Sequence, residues 1–154
     1  MRKRLVAMFL AVMFCVTGII AGDVKAYAED VAQDVEISEI WTEDALVGYA
    51  ESQTRGVYLA RGFSIINDAG GGKIGCGGIT EAAVKCKVAV NVVVERKVGS
   101  SWVRVTSWTA TNASAYYVSV SKTLSVGSGY YYRVRCTHCA ASDTSNSCTD
   151  SLWM

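Results

Sequence analysis

Val84-Lys85-Cys86-Lys87-Val88-Ala89-Val90-Asn91-Val92-Val93-Val94-Glu95-Arg96-Lys97 carries valine or cysteine at every second position from Val84 to Val94. An extended backbone turns successive side chains to opposite faces. Val84, Cys86, Val88, Val90, Val92 and Val94 therefore share one face, and Lys85, Lys87, Asn91 and Glu95 the other. Branched side chains pack well on a pleated surface, so the stretch predicts a strand with its valine face in a core. Val98 to Ser101 turns the chain, and Trp102 to Thr109 returns it as a hairpin.

Outward from this hairpin the same pattern recurs. Val57 to Asn67 and the glycine-rich Lys73 to Thr80 precede it, joined by a turn at Asp68 to Gly72. Ala115 to Thr123, Tyr130 to Thr137 and Cys148 to Met154 follow. About seven strands with turns every 8–14 residues or so predict an all-β chain, folded as an immunoglobulin-like antiparallel β-sandwich. Helix is expected only in the acidic stretch before residue 55 and around Glu81 to Lys85. The chain has 154 residues, 51% of them hydrophobic, and no proline. Disordered, collagen-like and proline-rich classes are thereby excluded.

The amino end predicts export. Arg2-Lys3-Arg4 is followed by an apolar run from Leu5 to Ala21, and Ala26-Tyr27-Ala28 supplies a small-residue cleavage site. The expected division is a signal peptide at 1–28, an acidic leader at 29–54, largely irregular or partly helical, and a β-sandwich at 55–154. No second apolar span follows, so no membrane span is expected after cleavage. Residues 29–51 hold eight acids and no base, whereas 52–154 hold eleven bases and five acids. The leader is read as a solvated segment or as a counterion for the basic domain.

Leu124-Ser125-Val126-Gly127-Ser128-Gly129-Tyr130 resembles the tyrosine corner of fibronectin type III domains, with Val126 where that family has proline. Arg133-Val134-Arg135 continues as that family's strand F, and the hairpin from Val92 to Val105 resembles its C and C′ strands. The resemblance, over roughly residues 85–137, implies a Tyr130 hydroxyl bonded back to the backbone near Leu124. It departs from the family in having no strand-B tryptophan. The whole chain, from Arg55-Gly-Val-Tyr-Leu-Ala-Arg61 to Tyr132-Arg-Val-Arg-Cys-Thr-His138, is similar to small uncharacterised secreted proteins of Gram-positive bacteria. That likeness implies a domain of unknown function without assigned catalytic residues.

Five cysteines remain after cleavage, and export makes disulfides the first expectation. If the strands of Cys86 and Cys136 are antiparallel neighbours, the topology predicts bridges Cys86–Cys136 and Cys139–Cys148, with Cys76 free. Cys76–Cys136, placed like the bridge between strands B and F of immunoglobulin domains, is the competing pair. Cys136-Thr-His-Cys139 has zinc-like spacing, but the alternation of a strand separates its side chains, so no metal is assigned. Gly70-Gly-Gly-Lys-Ile-Gly75 fits G-x-G-x-x-G yet leads into a strand rather than a helix, so it reads as a turn and no cofactor is assigned. With one histidine, His138, hydrolytic chemistry reduces to a Cys76–His138 dyad, and the chain is read as a non-enzyme.

The informative surface is aromatic and basic. If Val103, Val105, Tyr130, Tyr132 and Val134 face the core, alternation sends Trp102, Arg104, Trp108, Tyr131, Arg133 and Arg135 outward. Aromatic rings stack on sugar faces, and arginine forks take carboxylate or phosphate. The expected function is a secreted module that binds a cell-surface glycan or a protein partner through this face. The alternative is a structural, self-associating extracellular protein. Nucleic acid is not an expected partner of an exported chain, and the oligomeric state is not readable.

Overall fold

The computed structural model describes residues 32–51 and 56–154, so the expected signal peptide and its cleavage site lie outside the described residues. The elements are β1 (Gln33–Asp34), α1 (Ile37–Ile40), β2 (Leu46–Glu51), β3 (Leu59–Gly70), β4 (Lys73–Val98), β5 (Ser101–Ser125), β6 (Tyr131–Ala140), β7 (Asp143–Cys148) and β8 (Leu152–Trp153). Every pairing is antiparallel, and all eight strands join one sheet. The all-β, antiparallel expectation holds. Expected neighbours have merged, however. Lys73 to Thr80 runs on into the valine strand as β4, and the return strand runs through to Ser125 as β5.

Two strands of about 25 residues cannot lie flat in a domain this small. β4 and β5 bend together where register shifts interrupt their pairing between Glu81 and Val88, as bulges do. The first arm of β4 pairs with β3, which pairs with β2; the second arm pairs with β6, which pairs with β7 and β8. The sheet thus folds over itself, and β2 and β3 lie against β6 and β7. Ile66, Ile74 and Cys76 of one layer meet Val90, Val92, Val94, Tyr132, Val134 and Cys136 of the other in a fully buried core. Each buried valine contributes about 2 kcal/mol over an exposed one. Val84 and Cys86 drop out of that face: Val84 is exposed and Cys86 half-buried, because they lie in the bend.

The glycines after Lys73 have packing roles. A Cβ on Gly75 or Gly77 would stand 2.6 and 2.8 Å from Ile40 of α1, and one on Gly78 would stand 2.7 Å from Cys136 Sγ. Glycine at these points lets α1 close on one face and the second layer on the other. Residues expected as a leader therefore belong to the fold: β1 pairs with β5, β2 pairs with β3, and Ile40 is 2% exposed. Asp34 of that acidic stretch pairs with Lys122 of β5.

Between the layers lies His138, with no accessible surface. Thr80 donates its hydroxyl to the Ala89 carbonyl (2.9 Å), so its oxygen accepts from His138 Nδ1–H (2.9 Å). His138 Nε2 then accepts from Ser147 Oγ–H at 2.8 Å. Burial pushes the imidazole pKa down to about 4, so the ring is neutral at pH 7. Gly62 makes room for it, since a Cβ there would stand 2.4 Å from the ring. The corner hydroxyl is a correction. Tyr132, 1% exposed, donates to the Gly127 carbonyl at 2.8 Å, whereas Tyr130 lies at the surface with the Arg96 guanidinium 4.5 Å from its ring centre. Tyr132 shares the inner face with Val134 and Cys136, and Tyr130 precedes the strand.

Candidate functional site

The outer face of the second layer is assembled by register. Across β5, β4 and β6, Trp102 lies opposite Lys97, Arg104 opposite Glu95, and Glu95 opposite Arg133; Val93 lies opposite Arg135. Arg133 is the pivot. Its Nε donates to Glu95 Oε2 at 2.7 Å, and its guanidinium sits 4.2 Å from the Trp102 ring centre. Arg135 Nε approaches Glu95 Oε1 at 3.2 Å. Glu95 is 7% exposed, so one carboxylate, shielded by two guanidinium groups, holds both arginines in place. Lys97 Nζ is 6.0 Å from the same tryptophan ring. At the end of β6, Tyr131 and Trp153 meet edge to face, with centroids 4.8 Å apart, and both stay exposed. Further along, Thr137 Oγ1 donates to Asn146 Oδ1 at 2.8 Å, and Asn91 Nδ2 donates to Thr109 Oγ1 at 2.8 Å.

Of the residues expected on this face, Trp102, Arg104, Tyr131, Arg133 and Arg135 are there, and Trp153 joins them. Trp108 is not. It lies opposite Val92 and packs against the core, with Lys122 Nζ 5.8 Å from its ring centre. A register shift explains this: Val94 faces Thr106 but Glu95 faces Arg104, so β5 gains one residue at Val105. An added residue reverses the facing of everything beyond it. Val103, expected in the core, is 47% exposed beside the hairpin end. From the sequence, Glu95 is expected only on the polar face of its strand. The signal for its role is an acid on the polar face of one strand and two arginines, Arg133 and Arg135, at alternate positions of a later one.

The expected bridges are not formed, since all five described cysteines are free. Cys136 lies opposite Val92, six residues from Cys86, about 20 Å along β4. Cys148 lies opposite Arg135, whereas Cys139 lies opposite Thr144, about 13 Å away along β7. Both separations exceed the reach of about 7 Å between α-carbons that a disulfide allows. Cys76 and Cys136 do face one another's layers in the same core cluster. Burial pushes the Cys76 thiol up to about 12, which removes the thiolate a nucleophile needs. His138 is held by Thr80 and Ser147 rather than by Cys76. Cys136 and His138 point inward while Cys139 is half-exposed, and no group of three metal-ligating side chains occurs among the described residues.

Residues 28–152 match the model of a family described as "Family of unknown function (DUF6147)". The chain belongs to DUF6147. The match takes in every strand of the fold except the last residue of β8, so the aromatic and basic face lies within the DUF6147 region. No curated protein matches the chain. Among solved structures it is similar to the solution structure of R. palustris CsgH, with 18% identity and a TM-score of 0.36. That match covers 53% of this chain and 83% of the other, a likeness too weak to carry an argument. Among the described residues no helix is long and apolar enough to cross a membrane.

Proposed function

We propose that this DUF6147 chain is a secreted binding module that engages a cell-surface glycan or a protein partner through the outer face of its second layer, without catalysis. The observation that carries the reading is the Trp102–Arg133–Glu95–Arg135 arrangement. A buried acid fixes two arginines that pack no core, and one of them supports an aromatic ring. Preorganised aromatic and arginine groups are what recognition surfaces are built from. The export part of the reading rests on residues 1–28. The test is retention on purified cell envelope of the wild-type protein against a Trp102→Ala/Arg135→Ala double variant. Retention of the wild type alone supports the face, and equal retention of a folded double variant ends the proposal.

One observation favours the second reading, self-association. From Ser101 to Val120, β5 has a strand partner on one side only among the described residues. That stretch holds one charged side chain, Arg104, and no proline. Natural edges are usually guarded by charges, prolines or cover. Sedimentation velocity over a hundredfold concentration range tests it: a rising sedimentation coefficient supports pairing along this edge, and a constant one rejects it.

A further inference from the structure

Beside the aromatic part of the face lies a small pocket of about 100 Å³, lined by Val93, Arg135, Cys136, Thr137, Asn146 and Ser147. Its side chains are arranged for one kind of ligand. Glu95 Oε1 stands 3.2 Å from Arg135 Nε, at the inner end of a guanidinium on a side chain that is 55% exposed. Thr137 donates to Asn146 Oδ1, which orients the amide so that its NH₂ group is free to donate. Two kinds of donor thus line the pocket, and no carboxylate does. Arg104, Lys97 and Arg133 add positive charge along the same face, against Glu95 and against Asp150, which lies near Cys148 opposite Arg135.

We infer that Arg135 and Asn146 form an oxyanion subsite, taking a carboxylate or phosphate group of an anionic polymer whose neighbouring units stack on the aromatic end of the face. This rests on the binding-face reading and deepens it. A guanidinium fork matches two oxygens of one such group, and an amide N–H completes the set. The carboxylate of Glu95 on the opposite side of the guanidinium keeps the fork aimed, so little ordering remains to be done on binding. The subsite and the Tyr131–Trp153 pair are four residues apart on β6, about 13 Å. Occupation of both requires an extended ligand, which excludes a free inorganic anion as the full ligand.

The experiment is titration calorimetry of the purified protein with three probes: polygalacturonate, its fully methyl-esterified form, and poly(glycerol phosphate). The inference expects one of the two polyanions to bind about tenfold or more tighter than the uncharged ester, since one charge-assisted pair is worth that factor. Which polyanion is tighter names the source, carboxylate or phosphodiester. Asn146→Asp, which places a negative charge in the pocket, abolishes that preference. Arg135→Lys, which keeps the charge but not the fork, reduces it. Binding of neither polyanion, equal affinity for acid and ester, or an unchanged preference in both variants overturns the subsite. Trp102→Ala/Trp153→Ala is the separate arm. If it loses binding to acid and ester alike while the pocket variants change nothing, the binding face stands and the subsite falls.

Discussion

The two outer faces of the folded sheet are built from opposite side-chain choices. On the first layer, Gly75 and Gly77 leave a hollow that Ile40 fills, and Trp41 and Tyr49 close on Phe63 with centroids 5.4 and 5.5 Å away. On the second layer the corresponding positions carry Asn91, Val93, Glu95 and Lys97, and no element of the described chain covers them. Both faces hold aromatic rings and arginine. In one, Phe63 is buried beneath Trp41 and Tyr49, which stay 41% and 69% exposed; in the other, Trp102 rests on an arginine held by a buried carboxylate. Ring content and exposure therefore do not separate the two faces; the buried Glu95 that fixes two arginines does, against the exposed Arg61–Glu81 pair of the first layer.

The largest effect should come from filling the hollow. Gly75→Val would place a Cβ 2.2 Å from Asn67 Oδ1 and 2.6 Å from Ile40 Cγ2, so α1 must lift from the sheet. Overpacking of this kind costs about 3 kcal/mol, read as a lower urea midpoint. Thr137→Val on the open face should stay within about 0.5 kcal/mol. Similar costs at the two positions would erase the distinction between a packed and an open face.

His138 makes the inner seam between the faces sensitive to acid. In the folded chain the ring accepts a proton only near pH 4, whereas an exposed imidazole does so near 6.5. Between those values the unfolded chain binds more protons. Stability is then full above pH 6.5 and falls by up to about 3 kcal/mol as the pH drops through 4. Because the chain has one histidine, its imidazole NMR signals need no assignment. They should remain those of a neutral ring at pH 5, and a midpoint near 6.5 would show that the ring is not enclosed.

Glu95→Gln tests the open face itself. It leaves Arg133, a quarter exposed, without its carboxylate. Because water reaches both arginines, the cost in stability is only about 1–2 kcal/mol. The loss of order on the face should be larger than that figure implies. The indole fluorescence of Trp102 should become more readily quenched by iodide, and unchanged quenching would mean that Glu95 does not hold the stack.

Much of the fold could be read from residues because β alternation is a local property. Val88 to Val94 are buried as their spacing requires, and Arg133 and Arg135 face outward as theirs does. What could not be read were events that cost one residue or cross the fold. The extra residue at Val105 turned Trp108 inward, and nothing in Trp102 to Trp108 announces it. The hollow at Gly75 and Gly77 has meaning only once Ile40, more than thirty residues earlier, is packed on it. Cysteine pairing is hidden for a related reason: the bridge Cys86–Cys136 needs short separate strands, whereas the continuous β4 carries Cys86 six residues away from the position opposite Cys136.

The smallest expected effect separates two neighbouring rings. The resemblance to the tyrosine corner placed its hydroxyl on Tyr130, and the structure places it on Tyr132. Tyr132→Phe keeps the buried ring and removes the bond to the Gly127 carbonyl, which should cost about 1 kcal/mol. Tyr130→Phe should change stability by less than about 0.5 kcal/mol, because that ring is at the surface and its contact with Arg96 needs the ring alone. The two variants differ in sequence by two positions and in composition by nothing, so thermal unfolding of the pair isolates the one hydrogen bond. A larger loss for Tyr130→Phe would move the corner hydroxyl back to the position its sequence motif assigns, while the facing of β6 would stand, because residues two apart on a strand share a face.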